Sequence, residues 1–411
     1  MRIQRTIPPA APCLRAASLW HALIGILFGE RSLNAVQEEL AEYFAVKHVF
    51  LVSSGKAALY LLLEAFKSLS PRREVVIPAY TCFSVPSAVV KAKLTIIPCD
   101  INRDTYDFDF AHLDKILSED TLCVILHHLF GIPSDIDRTI QLCKDRGIFV
   151  IEDAAQAMGA TYNGRSLGTF GDAGVFSLGR GKNITCGSGG IIVTDSPRIA
   201  SAVQGHYSVL PSPSFLESAA ELLRIILMAI FTHPFLYWMP AGLPSLRLGQ
   251  TIFYKDFPVK KFSGVKAGLL HLWRETLEQS NTLRAAVASS YIQHLQIAFN
   301  GTSHLAYLRF PLLAPSRQKR DEIYYRSLRR GLGVGLPYPT AIHEIPELAW
   351  QFIGLNFPVA QDVALRLITL PTHHLVSDDD RRAICELLAG GMAERPYQNI
   401  EQHEQPLRGT H

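Results

Sequence analysis

The sequence predicts an α/β fold with a mainly parallel central sheet and a smaller α+β unit following it. From about Val49 to Thr194, short β-branched runs alternate with helical segments, the pattern of strands whose connecting helices cover both faces of a sheet. The 411 residues are 48% hydrophobic and 19% charged, so the chain can bury sizeable cores. Near Pro211 the alternation stops. The division this implies is a large domain over 1–257, carrying an apolar insertion at about 211–257, and a small C-terminal domain over 258–411.

Taken in chain order, Ala16 to Gly29 is a short apolar stretch behind Arg2, Arg5 and Arg15. It has no clear small-x-small cleavage site, so it reads as an amphipathic or buried helix rather than an export signal. A helix is expected over Ala57–Phe66, and another from Ile136 to Asp145. Strands are expected at Val75–Ile77, Leu94–Ile97, Leu122–Leu126, Phe149–Ile151, Gly174–Phe176 and Ile191–Val193. Lys266–Leu295 reads as one long helical pattern and Leu305–Phe310 as a strand.

Within the insertion, Ile225 to Leu246 contains no Asp, Glu, Lys or Arg and is interrupted by His233, Pro234, Pro240 and Pro244. A bilayer span takes about 20 residues, but a single crossing would separate the two halves of one soluble site. Two readings stay open for 225–246, peripheral membrane contact and packing into a dimer, and the chain is expected to be cytoplasmic under either.

A formal net charge of +3, with basic residues spread along the chain, gives little reason to expect nucleic acid. The seven cysteines are dispersed, with no CxxC pair and no His/Cys cluster. A reducing compartment and no structural metal follow.

Lys182 is the most informative residue. It lies in a glycine-rich stretch, Gly171 to Ile184, about thirty residues after Ile151-Glu152-Asp153-Ala154-Ala155-Gln156. Asp153 follows an apolar run, Gly147–Ile151, that resembles a buried strand delivering its carboxyl end to a ligand crevice. A lysine that holds an aldehyde as a Schiff base, with a carboxylate that keeps a pyridine nitrogen protonated, is a site for pyridoxal 5'-phosphate. Ser53 to Leu59 adds a glycine-containing turn before a helix, where free NH groups and the helix dipole could cradle a phosphate. Taken alone, that segment reads better as an ordinary capped helix.

Glu152 to Gln156, then Gly168 through Ser177, a lysine and a glycine run together resemble the DegT/DnrJ/EryC1/StrS family of sugar aminotransferases, which are fold-type I, pyridoxal phosphate-dependent proteins. The likeness extends from Val52–Leu59 to Leu370–His373. It implies Lys182 and Asp153 as catalytic residues, and Gly55, Lys56, Cys82, Gln156 and Ser177 as further cofactor-binding residues. Gln156 matches a residue that approaches the cofactor's phenolic oxygen, and Ser177 a phosphate ligand. Cys82 stands where the family often stacks an aromatic ring on the cofactor, with Tyr80 or Phe83 as substitutes. His128, Tyr338 and His343 fall in segments near the substrate; for His128, a ligand role and a satisfied structural role are both open.

The sequence departs from the family pattern in three places. Lys56 replaces a hydroxyl, Ser188 replaces a carboxylate in the glycine run, and Val259 replaces an asparagine expected to reach a neighbouring subunit's phosphate. The resemblance implies a homodimer that moves an amino group from L-glutamate to a nucleotide-linked keto-sugar. The alternatives are a pyridoxal phosphate-binding regulatory or scaffold homologue without turnover and a sugar dehydratase of the same family; the latter typically has histidine in place of the lysine.

Overall fold

The computed structural model describes residues 5–11, 15–297 and 305–389. Arg2 and Cys13 lie outside these residues. Seven strands form the central sheet: β1 (His48–Val52), β2 (Glu74–Pro78), β3 (Thr95–Cys99), β4 (Thr121–His127), β5 (Phe149–Asp153) and, after a small hairpin of β6 (Thr161–Tyr162) and β7 (Arg165–Ser166), β8 (Ala173–Ser177) and β9 (Gly190–Thr194). Their order is β1-β9-β8-β5-β4-β2-β3. From β8 to β3 every neighbour is parallel, while β9 runs against both β8 and β1.

Strands covered on both faces carry no polar alternation, and β4 is buried at every position. That is why the six apolar runs were legible as strands, and all six are present. β1 was not anticipated. It is a five-residue edge strand that starts four residues after a helix ends at Phe44, too short a gap to stand out from the helical pattern.

A separate two-stranded sheet pairs β10 (Arg309–Leu313) antiparallel with β11 (Leu367–Pro371). Two expectations need correction here. The strand expected at 305–310 begins only at Arg309, because the preceding backbone is tied elsewhere: Leu308 N–H donates to Phe130 O, and Thr372 Oγ1 and Arg284 donate to Leu308 O. The helix expected over 266–295 is two, Gly264–Leu269 and Trp273–Leu295, broken where Leu272 takes a left-handed φ of 63°. Val265, Leu269, Leu270, Trp273 and Leu277 all enter one core on either side of the break, so the apolar pattern ran through it unmarked.

The expected N-terminal helix is present at Ala16–Leu27 and crosses Gly264–Leu269 at the closest possible range. A methyl group on Gly264 would lie 2.1 Å from Gly25 O, and one on Gly268 2.1 Å from His21 O. Glycines one helical turn apart therefore let the two backbones touch.

The apolar insertion is also divided. A helix over Phe215–Phe231 opens with a capping box between Ser214 and Glu217, and a four-residue helix follows at Trp238–Ala241. Among the described residues no helix is long and apolar enough to cross a membrane. Leu222 and Ile225 are buried, whereas Leu223, Leu227 and Ile230 on the same helix are exposed.

The helix crossing yields a stability prediction. Overpacking a closed backbone contact costs about 3 kcal/mol, so Gly264→Ala should lower the free energy of unfolding by that order in a urea titration. Gly205, inside the helix Pro197–Ser208, where an added methyl group meets nothing within 4 Å, serves as control, and Gly205→Ala should gain up to about 1 kcal/mol instead of losing stability.

Candidate active site

Parallel pairing brings distant segments to one edge of the sheet. Asp153 ends β5, His127 ends β4 and Ser177 ends β8, while Gly190 opens the reversed β9 opposite both Ser177 and Val52. The turn at Ser53-Ser54-Gly55 and the glycine run before β9 therefore lie at the carboxyl edge, where open α/β sheets bind ligands.

Asp153 and Lys182 share this cleft. Asp153 Oδ1 accepts from Ala155 N–H at 3.0 Å, and among the described residues Oδ2 accepts from nothing. Burial pushes the Asp153 carboxyl up, opposed by the charge of Lys182. Burial also pulls the Lys182 amine down, opposed by Cys82 and Asp153 and reinforced by Arg309. Its Nζ forms no hydrogen bond or ion pair among the described residues, and the two groups do not bridge each other. A carboxylate oxygen and an amine that are both unpaired among the described residues, and near enough to act on each other's charge, fit a protonated ring nitrogen on one side and a carbonyl carbon on the other.

The phosphate cradle has a clear origin. Ser54 caps the helix Gly55–Leu69, its Oγ accepting from Ala57 N–H at 3.2 Å. A methyl group on Gly55 would lie 3.1 Å from Ser177 Oγ, so the absent side chain leaves the hydroxyl and the helix N-terminus facing one space. Lys56 Nζ stands 4.3 Å from the Tyr254 ring centroid and 4.8 Å from that of Phe257. Both rings come from the insertion.

Gln156 is fixed at both ends of its amide. Its Nε2 donates to Tyr338 Oη at 2.8 Å, and its Oε1 accepts from Phe130 N–H at 3.2 Å. Tyr338 thus joins the cleft, with its ring 5.3 Å from that of Tyr80. Tyr80 and Phe83 are buried in the core, while Cys82 stays half-buried and acts on Lys56, Lys182 and Tyr338. Of these three, only Cys82 keeps surface toward the cleft.

The two candidate histidines are placed differently. His128 is fully buried with both ring nitrogens occupied, Nε2 donating to Glu152 at 3.0 Å and Nδ1 accepting from Ser134 N–H. In this arrangement neither ring nitrogen is left for a ligand. His343 is nearly buried against Phe357 and Gln361, with its Nδ1 unpartnered among the described residues. The segment at Val259 pairs within its own chain, Lys260 exchanging hydrogen bonds with Ser53 beside the cradle. Two cavities, of about 210 and 410 Å³, are lined by other residues and include neither Asp153 nor Lys182.

Sequence reasoning missed two residues. Glu152, next to Asp153, carries a buried carboxylate that accepts from Gly168, Phe170 and Gly171 N–H and from His128. Nothing local in the sequence marks it as a hub. Arg309 was the second, hidden because its strand was placed four residues early.

Burial alone would raise the Glu152 carboxyl, but the bonds and charge of His128 and the peptide donors hold it below its ordinary 4.5. Its stabilisation is therefore complete above that value and lost as pH falls through the lower folded one. Glu152→Gln should cost about 3 kcal/mol at neutral pH, and it should flatten the acid limb of a stability profile measured by urea melts.

A family profile described as the DegT/DnrJ/EryC1/StrS aminotransferase family matches residues 26–211 and 261–389. The unmatched gap coincides with the apolar insertion. The UDP-N-acetyl-3-dehydro-alpha-D-glucosamine 3-aminotransferase of Acidithiobacillus ferrooxidans is 33% identical over 49% of this chain and 56% of its own. The dTDP-3-amino-3,4,6-trideoxy-alpha-D-glucose transaminase of Streptomyces venezuelae is 26% identical over 82% of this chain and 81% of its own. In the first of the curated relatives the match spans about half of the relative's length. The pyridoxal phosphate form of a sugar aminotransferase from Streptococcus pneumoniae shares the fold, with a TM-score of 0.70, 21% identity and coverage of 93% of this chain and 97% of that one. On the strength of the profile match across most of its length, the chain belongs to the DegT/DnrJ/EryC1/StrS aminotransferase family.

Proposed function

We propose that this protein is a pyridoxal phosphate-dependent aminotransferase that moves an amino group, with L-glutamate as donor, to a nucleotide-linked keto-sugar. The observation that carries this reading is the pairing of an unbonded Asp153 oxygen and an unbonded Lys182 amine across one cleft, with the Gly55–Ser177 cradle at its end. The relatives named as nucleotide-sugar aminotransferases support the substrate class.

When bound, pyridoxal phosphate supplies an aldehyde that condenses with amines and a ring that takes up electron density from a carbon losing its proton. Lys182 Nζ is the group that would hold the cofactor's aldehyde carbon, and once displaced by a donor amine it would be free to accept the donor's α-proton and give it to that aldehyde carbon, on the other side of the bridging nitrogen. Its lowered pKa leaves more of the amine neutral at the outset. Asp153 Oδ2 would accept a hydrogen bond from the protonated ring nitrogen, and its charge would keep that proton in place. Ser177, Gly55 and the helix N-terminus would hold the phosphate, with Lys56 nearby as an added cation. Gln156, locked between Phe130 and Tyr338, offers its second amide hydrogen to the cofactor's phenolic oxygen.

The same reading extends to a cytoplasmic homodimer with its sites at the subunit interface. The exposed face of the 225–246 segment is assigned either to that dimer or to peripheral membrane contact.

The holo-protein should lose its aldehyde absorbance on addition of L-glutamate and regain it with at least one nucleotide-linked keto-sugar; recovery only with simple 2-keto acids rejects the acceptor class. Borohydride reduction of the same preparation should place the pyridoxyl mass on Lys182. Asp153→Asn should retain cofactor but slow the single-turnover reaction with glutamate about 100-fold. A rate near that of the wild type would show that Asp153 does not serve the ring nitrogen.

A further inference from the structure

Arg309 opens β10 and is not used in the chemistry above. Its guanidinium lies between two glycine surfaces: a methyl group on Gly181 would sit 3.9 Å from Nη2, and one on Gly335 3.7 Å from Nη1. Gly181 immediately precedes Lys182. Pro9 and Ala10 of the N-terminal segment pack on the same two glycines and close the far side. Among the described residues the guanidinium makes no hydrogen bond or ion pair, although it is only partly accessible.

The groups that bear on Arg309 are Tyr338 and Tyr237, neither of them a carboxylate, and burial pulls its pKa down. A cation kept from water without an anion is costly unless a ligand supplies the missing charge. We propose that Arg309 is the receptor for the α-carboxylate of the amino donor, an inference that rests on the aminotransferase reading.

Geometry selects that anion. The α-carboxylate is bonded directly to the carbon whose proton Lys182 moves, so its receptor must neighbour Lys182. Arg309 does so through Gly181, and it is close enough to act on the Lys182 amine. A phosphate of a nucleotide-sugar lies several bonds farther from its reacting carbon. The planar guanidinium also matches a carboxylate with two parallel hydrogen bonds.

The test compares holo-protein with Arg309→Gln and Arg309→Lys, each confirmed as loaded by cofactor absorbance. L-Glutamate is set against 4-aminobutyrate, which lacks the α-carboxylate. Arg309→Gln should raise half-saturation for glutamate about 50-fold, and Arg309→Lys about 10-fold, because charge-assisted pairs are the strong ones. Half-saturation for 4-aminobutyrate should move less than about twofold, because that ligand never uses the lost charge-assisted pair. Calorimetric binding of glutarate to the same proteins gives a readout independent of turnover and should weaken in parallel.

Unchanged glutamate saturation in Arg309→Gln overturns the proposal. So does a rise confined to the nucleotide-linked keto-sugar, which would assign Arg309 to a phosphate. If the wild type converts no amino acid, the aminotransferase reading fails by itself. The glutarate arm then still decides Arg309, weaker binding in the variant supporting a carboxylate site and equal binding removing it.

Discussion

The site depends on one carboxylate that never meets solvent. Glu152 lies on β5 and accepts from three peptide groups of the 168–171 turn and from His128 at the end of β4. It joins the strand that carries Asp153 to the turn that leads into β8, and so to Ser177 and Lys182. A buried charge is tolerated only when its oxygens are fully occupied, and here four donors occupy them. His128, fixed from behind by Ser134, completes the knot. The neighbouring Asp153 can then stay underbonded on one oxygen, because Glu152 rather than Asp153 holds the backbone together.

This division between adjacent acids also shows what a sequence can reveal. Lys182 and Asp153 were legible because spacing and context marked both, and the strands of the parallel sheet because continuous burial writes continuous apolar runs. The role of Glu152 was not legible, since its partners are peptide groups sixteen to nineteen positions away and peptide groups have no sequence signature. The break at Leu272 was masked by side chains that serve one core on both sides of it. His128 stood undecided until its two ring nitrogens were seen to be engaged, a fact that only the fold creates.

Desolvation sets the electrostatics of the cleft. Burial drives Asp153 toward its protonated form and Lys182 toward its neutral form, so each is unfavourable as a lone ion and each favours an opposite charge nearby. Lys56 and Arg309 are likewise pulled down by burial. Three basic groups against one acid make the site readier for anionic ligands, and low water content strengthens that preference. A cofactor phosphate and a donor carboxylate would answer that preference.

The insertion connects this cleft to the outside of the molecule. Tyr254 and Phe257 from its end hold Lys56, and Tyr237 from its middle faces Arg309. Its helix Phe215–Phe231 exposes Leu223, Leu227 and Ile230. That helix is not loosely attached: Lys266, only 2% exposed, pairs with Glu221 at 2.7 Å, and the same carboxylate accepts from Ser263 Oγ. The anchor lies at the start of Gly264–Leu269, the helix in closest contact with Ala16–Leu27. Loss of either partner would leave a buried charge alone, so the helix keeps a fixed position. An exposed apolar face held rigidly by one end of a segment, with cleft walls supplied by the other, means that whatever covers the face also constrains the tyrosines beside Lys56 and Arg309.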